Sequence, residues 1–328
     1  MGTSTGRDLH IDTYLSEIAI NYRPGGMIAD MIAPIVSVSK ETNVYPVFSR
    51  KEACSIEDTS RSRATEAKRI TRSVGTAAYA CKNYALAYDI PIEDRANMDA
   101  ALQFELEGGA GRYVQDKLML DWDRRVLSLV GSASNVATGF LTGSAWNAPV
   151  DANQGDPISM IWRAMEQQQT LTAQKPNSIL IGWRAWNLLR RNSKMRNFIL
   201  GTNNGGGAVT RDAVQAAFEI ERFNVAGAFY DTGNEAQAAS LTANPLHDAV
   251  LIYFAPTAPS RETPSFMYSF RWTSPELGTP LAVIRHPYDT RKRVEGIEMQ
   301  YYQDERITGS DYGALLLGVG SAQANGLT

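Results

Sequence analysis

The groups best able to do chemistry in this chain are three histidines, two cysteines and three pairs of adjacent carboxylates, and their spacing assembles no recognisable site. His10, His247 and His286 are scattered, the last two in turn-like contexts near proline. Cys54 and Cys81 have neither metal-ligand spacing nor the company a disulfide framework needs, which suits a reducing, intracellular compartment. Gly205, Gly206 and Gly207 are followed by Ala-Val-Thr rather than the Lys-Ser/Thr of a phosphate loop, and neither GxGxxG nor GxSxG occurs in a chemical context. Glu57/Asp58, Glu93/Asp94 and Asp304/Glu305 fall in solvated or helix-cap settings rather than poised for acid–base work. The sequence therefore assigns no catalytic, cofactor-binding or metal-binding residue. A hydrolase would need a pocket of convergent titratable groups, and no such set is visible.

Basic residues cluster once on a helical pattern, with Arg190, Arg191 and Lys194 beside Arg184 and Arg196. Such a face either touches phosphate or an acidic neighbour, or is simply solvated. Trp183 and Trp186 in the same stretch read as packing residues rather than a base-stacking platform. A net charge of −3 argues against a protein that grips nucleic acid through a basic surface, and says less about one that encloses it. No reading helix is recognisable. No stretch approaches the roughly 18 consecutive apolar residues of a membrane span. The start, MGTSTGRDLHIDTYL, lacks the apolar core of a signal peptide, and its loose myristoylation pattern has no second acyl or polybasic signal.

These residues must be positioned by elements of mixed type. Ile11 to Ile20 predicts a short helix, and Pro24 and Pro34 interrupt the apolar arm NYRPGGMIADMIAPIVSV. Val44 to Phe48 predicts a short strand and Ser73 to Ile90 a longer one, with Tyr84, Leu86, Tyr88 and Ile90 alternating onto one face. Between them RKEACSIEDTSRSRATEAKRITR has too few large apolar residues to bury a core. It is either an excursion that docks on a neighbouring subunit or a solvated surface loop.

Pro91, Glu93 and Asp94 supply helix-start chemistry. Met98 to Val130 then predicts one long helix with Val114, Leu118, Trp122, Val126 and Leu129 along its stripe. A bend or looser turn is expected at EGGAGR, because each glycine costs about 1 kcal/mol relative to alanine in a helix. Gly131 to Asp156 reads as a loop. Pro157 to Gln169 predicts a helix, Asn177 to Ile181 a buried strand, and the next helix runs through Ile199. Asn203 to Gly207 reads as a flexible tip, and Thr210 caps a helix to about Ile220. Val250 to Phe254 and Glu295 to Tyr302 complete the strands, an α+β pattern without a regular βαβ repeat or solenoid period.

The ordered phrases NYRPGGMIADMIAPIVSV, DIPIEDRANMDA, KPNSILIGWRAWNLL, AAFEIERFNVAGAFYDTG, AVLIYFAP, PSFMYSFRW and RHPYDTRKRVEGIEMQYYQDERI resemble tailed-bacteriophage major capsid proteins with the Hong Kong 97-type fold. The resemblance runs from about Ile11 to Leu317. It implies an N-terminal arm (residues 1–43), an extended loop (44–90), a peripheral domain with a long spine helix (91–175), an axial domain (176–283), and a return strand of the peripheral domain with the C-terminus (284–328). It implies self-association through pentamers and hexamers into an icosahedral head in the virion, assembled in the host cytoplasm around double-stranded DNA that the shell contacts without sequence preference. A separate scaffolding protein, a portal protein and a decoration protein are the further partners it suggests, with no membrane and no cofactor. Candidate inter-subunit residues are Arg50, Lys51, Arg61, Arg63, Lys68, Arg69 and Arg72 in the extended loop. Arg190, Arg191, Lys194, Asn203 and Asn204 are the candidates in the axial domain. Lys51 and Lys68 lie in the right loop for the covalent crosslinks of some relatives, but no motif supplies partners and none is expected. A cargo-enclosing compartment shell of the same fold is the alternative, which the long arm and charged excursion disfavour.

Overall fold

The computed structural model describes residues 10–11, 27–47, 56–70, 75–97, 100–141, 146, 156–201, 208–231, 240–261, 263–275 and 277–320. In chain order the first elements are β1 (His10–Ile11), α1 (Ala29–Ile32), β2 (Ile35–Val38), β3 (Thr42–Val47), β4 (Gly75–Ala80), β5 (Lys82–Pro91), α2 (Ile92–Ala96) and α3 (Ala100–Val130). There follow β6 (Thr138–Leu141), α4 (Pro157–Thr172), β7 (Ser178–Gly182), α5 (Trp183–Arg191), α6 (Ser193–Leu200), α7 (Arg211–Ala217), β8 (Arg222–Ala226), β9 (Phe229–Asp231) and β10 (Leu241–Ala243). The last are β11 (Ala249–Tyr253), β12 (Met267–Trp272), β13 (Ala282–Asp289), β14 (Val294–Ile307) and β15 (Gly313–Leu317). The chain packs as two compact units, one of residues 1–43, 79–127 and 268–306, the other of 44–78, 128–267 and 307–328. Packing thus groups 128–175 with 176–267, and 268–283 with 284–306, whereas the sequence reading divided the chain at 175/176 and 283/284.

The first unit is a six-stranded sheet in the order β1-β13-β14-β12-β2, with β5 also paired to β14. Ile297, Met299 and Tyr301 alternate onto one face of β14, as their period of two requires. There they meet Ala110, Val114 and Leu118 of α3 and Ile90 of β5. Helix α3 runs unbroken for 31 residues, about 46 Å, straight through the glycine-rich stretch expected to loosen it. Gly111 has a packing reason, because a Cβ there would lie 3.3 Å from the Met299 methyl carbon. Gly108 and Gly109 have nothing within 4 Å of that position. The buried carboxylate of Asp123 on α3 accepts from the amides of Ile28 and Ala29, each at 3.0 Å, and so fixes the start of α1. The short helix expected at residues 11–20 lies outside the described residues save Ile11, which is in β1.

The strand read as continuous from Ser73 to Ile90 is two. Cys81 turns the chain, its amide donating to Glu41 O at 2.9 Å, so that β4 pairs with β3 while β5 runs antiparallel to β14. The Cys81 thiol is buried, and burial together with the Asp304 charge pushes its pKa up to about 12, which leaves it a poor nucleophile.

The second unit centres on a five-stranded mixed sheet, β6-β15-β11-β7-β8. The apolar runs of β7 and β11 are buried throughout, as strands covered on both faces must be. One face, with Ile179, Ile181, Val250, Ile252 and Leu316, packs on Ile161 and Met165 of α4, Trp186 and Leu189 of α5, and Met195 of α6. Gly182 is obligatory at the β7–α5 junction, since a Cβ there would stand 1.9 Å from Leu246 O. The helix read as continuous to Ile199 breaks at Asn192, whose side-chain oxygen accepts from Lys194 N at 3.0 Å and caps α6. Thr210 caps α7 as expected, accepting from Ala213 N at 3.3 Å. The region read as a loop after Gly131 contains β6, which joins the sheet only through β15, far along the chain.

Candidate assembly surfaces

The excursion between β3 and β4 is described for residues 56–70, and every one of them is exposed. They form neither helix nor strand. Glu57 and Lys68 meet at 2.5 Å and hold the two limbs side by side. At the tip Arg61 Nε donates to Thr65 O at 2.6 Å, and Thr65 turns back onto Ser62 O at 2.8 Å through its hydroxyl. Ala64 sits at φ +60°, the left-handed region that closes this tight turn. Ser60 donates to Asp58 and holds that carboxyl below the usual carboxylate range. The excursion is thus a shaped loop with no apolar cover of its own.

The carboxylate pairs divide. Glu57/Asp58 and Glu93/Asp94 are solvent-facing, the second pair in the first turn of α2, as the sequence reading expected. Asp304/Glu305 corrects it. Glu305 is buried and accepts from Arg125 Nη2 and Gln303 Nε2, each at 3.0 Å. Arg125 also donates to Tyr301 Oη at 3.2 Å, pairs with Asp121, and lies 3.6 Å from the Tyr84 ring centroid. Burial by itself would weaken the Arg125 cation, but its hydrogen bonds to Glu305 and Tyr301 prevail and raise its pKa. Arg271 completes the set, donating to Gln303 Oε1 at 2.9 Å, with its pKa lowered by burial. This network cross-ties α3, β5, β12 and β14. Every member is spent on another, so it is a strut rather than a catalytic constellation.

Among the described residues no cluster of His, Cys, Asp or Glu could hold a metal ion, and no helix is long and apolar enough to cross a membrane. His286 is exposed and bonded to Glu298 at 2.6 Å. His247 is partly buried, and burial with the nearby Arg184 lowers its pKa.

No family model matches the chain. It is 24% identical over 313 residues to the major capsid protein of Burkholderia phage BcepMu, covering 94% of this chain and 96% of that protein. It is 26% identical over 266 residues to the major capsid protein of Pseudomonas phage JBD67, covering 80% and 83%. In structure it resembles a phage-related protein from Bordetella bronchiseptica RB50, with a TM-score of 0.75 at 19% identity over 95% of this chain and 98% of that one. It also resembles the capsid protein of cyanophage P-SCSP1u, with a TM-score of 0.54 at 12% identity over 98% and 96%. The chain is a phage capsid protein of the Hong Kong 97-type fold.

A capsid protein works through its surfaces, and the sequence-expected contact residues fall on three kinds of ground. Arg61, Arg63, Lys68 and Arg69 lie on the exposed excursion, where Lys68 is engaged by Glu57 while Arg63 and Arg69 make no ion pair among the described residues. Arg190 and Arg191 are exposed in the last turn of α5, where the helix dipole favours cations. Lys194 differs from them: it bonds to Asp156 at 3.0 Å and ties α6 to the N-cap of α4. Arg50, Lys51, Arg72, Asn203 and Asn204 lie outside the described residues, as does the 203–207 tip. Trp186 is packing, 5.3 Å from Phe223, whereas Trp183 is 42% exposed. Sequence reasoning missed the exposed isoleucines of the capsid protein's excursion, Ile56 and Ile70, because it scored that segment by its charges. Like its relatives, the capsid protein is a structural component of the virion and not an enzyme.

Proposed function

We propose that this capsid protein is the major subunit of an icosahedral phage head, assembling through pentamers and hexamers around double-stranded DNA. The observation that carries this reading is the match to a phage major capsid protein across nearly the full length of both chains. Residues 1–43 serve as the arm, 44–90 as the loop laid across a neighbour, 91–175 with the spine helix α3 and 284–328 as the peripheral domain, and 176–283 as the axial domain with Arg190 and Arg191 among its contacts. The exposed excursion supports this division of labour. It gains stability only by docking on another copy, and a closed shell repeats that heterologous contact at every subunit. Contacts that are individually weak sum to a durable wall through multivalency. With a net charge of −3 the wall contains DNA rather than grips it, the packaged charge being balanced by its own counterions. A scaffolding protein, a portal protein and a decoration protein are the partners such a head would recruit, with assembly in the host cytoplasm.

Electron microscopy of the purified chain, alongside its size-exclusion profile, tests this. Round shells, or pentamers and hexamers that close when a scaffold is supplied, are the expected result. Shells that form around a co-expressed host enzyme, excluding DNA, would replace the viral head with a cargo compartment. A folded chain that stays monomeric at high concentration would overturn the shell reading.

A further inference from the structure

Two features of this chain lack cover and match each other. On the excursion, Ile56 is 99% exposed and Ile70 is 73% exposed, one on each limb of the loop that Glu57 and Lys68 clamp together. Burying such side chains is favourable, so two in the open on a shaped loop are a large unspent driving force. Within residues 56–70 the backbone–backbone hydrogen bond made among the described residues is Thr65 N to Ser62 O at the tip, at 3.4 Å, so the limbs form no ladder with each other.

The second feature is the outer edge of β5. Leu86 pairs with Met299 and Tyr88 with Ile297 across the β5–β14 ladder. Directly paired residues share a face of the sheet, so Leu86 and Tyr88 point to the same side as the core residues under α3. Yet they are 43% and 40% exposed, because β5 is the edge strand and α3 covers only part of it. Tyr113 of α3, itself 53% exposed, closes the shelf with its ring 6.1 Å from that of Tyr88. Beyond this shelf no strand among the described residues pairs with β5, which leaves a row of backbone groups ready for an added segment. Charge fits as well. Lys117 sits 5.5 Å from the Tyr113 ring without an ion pair among the described residues, and Asp58 follows closely on Ile56.

Building on the proposal that the excursion docks on another subunit, we infer that Ile56 and Ile70 anchor it on the Leu86–Tyr88–Tyr113 shelf of a second copy. The limb carrying Ile70 lies along the open edge of β5 there, and Asp58 approaches Lys117.

The full-length chain with Ile70→p-benzoylphenylalanine, assembled from a mixture of isotope-labelled and unlabelled copies and irradiated, reads the landing site by mass spectrometry. The expected product joins different copies and maps to residues 82–91 or 112–118. Leu86→Asp, an exposed position whose change leaves the core alone, should lower its yield about tenfold or more. Lys117→Glu should lower it too, with recovery when the excursion carries Asp58→Lys. Inter-copy products that map elsewhere overturn the shelf while leaving excursion docking intact. Particles that give no inter-copy product, or a chain that never associates, overturn both.

Discussion

Arg125 and Glu305 meet at 3.0 Å across 180 residues of sequence, joining the long helix α3 to the longest strand, β14. Both side chains are largely shielded from water, Gln303 donates to Glu305, and Arg125 also donates to Tyr301 Oη. Removing one partner strands a charge in low dielectric. Glu305→Gln should therefore cost about 3 kcal/mol in denaturant unfolding, while Arg125→Met combined with Glu305→Leu should cost less than either single change. A Glu305→Gln variant as stable as the parent would show the strut to be idle.

The glycines of α3 and of the β7–α5 junction should respond oppositely to alanine. Gly182→Ala puts a Cβ 1.9 Å from a backbone oxygen that cannot yield, and the chain should fail to fold. Gly108→Ala and Gly109→Ala meet nothing within 4 Å and should each raise stability by up to about 1 kcal/mol. If that stiffening instead abolishes shell formation in a folded chain, these glycines serve assembly rather than folding.

Cys81 sets an alkaline limit. Its folded pKa, about 12, lies above the ordinary 9.0, so the buried thiol favours the neutral form. Its stabilising effect is intact below pH 9 and is lost as pH rises from 9 towards 12, because the unfolded thiol ionises first. Thiol labelling of a Cys54→Ser variant at neutral pH should be negligible until denaturant is added. Prompt labelling would mean that the β4–β5 turn opens in the native state.

Asp156 acts in the opposite direction. Burial pushes its pKa up, but hydrogen bonds from Lys194 and Ser159 outweigh that and hold it below the ordinary 3.8. Its contribution is present above that pH and fades as pH falls through the lowered value. Asp156→Ala should cost about 1 kcal/mol at neutral pH through loss of the α4 cap, and the deficit should shrink in acid.

Deleting Lys51 to Arg72 should leave a folded subunit that cannot close a shell. Circular dichroism and thermal unfolding close to the parent, with electron microscopy showing no particles, is the expected pair of results. Normal particles from the deletion would remove the excursion from assembly altogether.

Much of the fold was legible where pattern and local chemistry coincide. The α3 stripe, the buried runs at β7 and β11, the alternation in β14 and the Thr210 cap all have their signal within a few residues. Strand β6 was not legible, because four residues within a stretch rich in glycine, serine, asparagine and alanine become a strand only when β15 pairs with them. The break at Asn192 was hidden for the opposite reason. Helical periodicity continues across it, and the cap is recognisable only once the Asn192 amide is seen donating to Trp146 O at 3.0 Å.

The sequence by itself indicated an α+β chain, and its ordered packing phrases carried the resemblance to phage major capsid proteins that the comparisons bear out. It also marked Arg50 to Arg72 as a segment unable to make its own core. Tertiary structure decided which groups are spent within the chain and which stand exposed. Lys194 and Glu305 looked like surface charges and are tied inward, while Leu86 and Tyr88 looked like core and stand at an open edge. Burial is a property of what lies opposite a residue, and for strands and excursions that partner comes from far along the chain or from another copy.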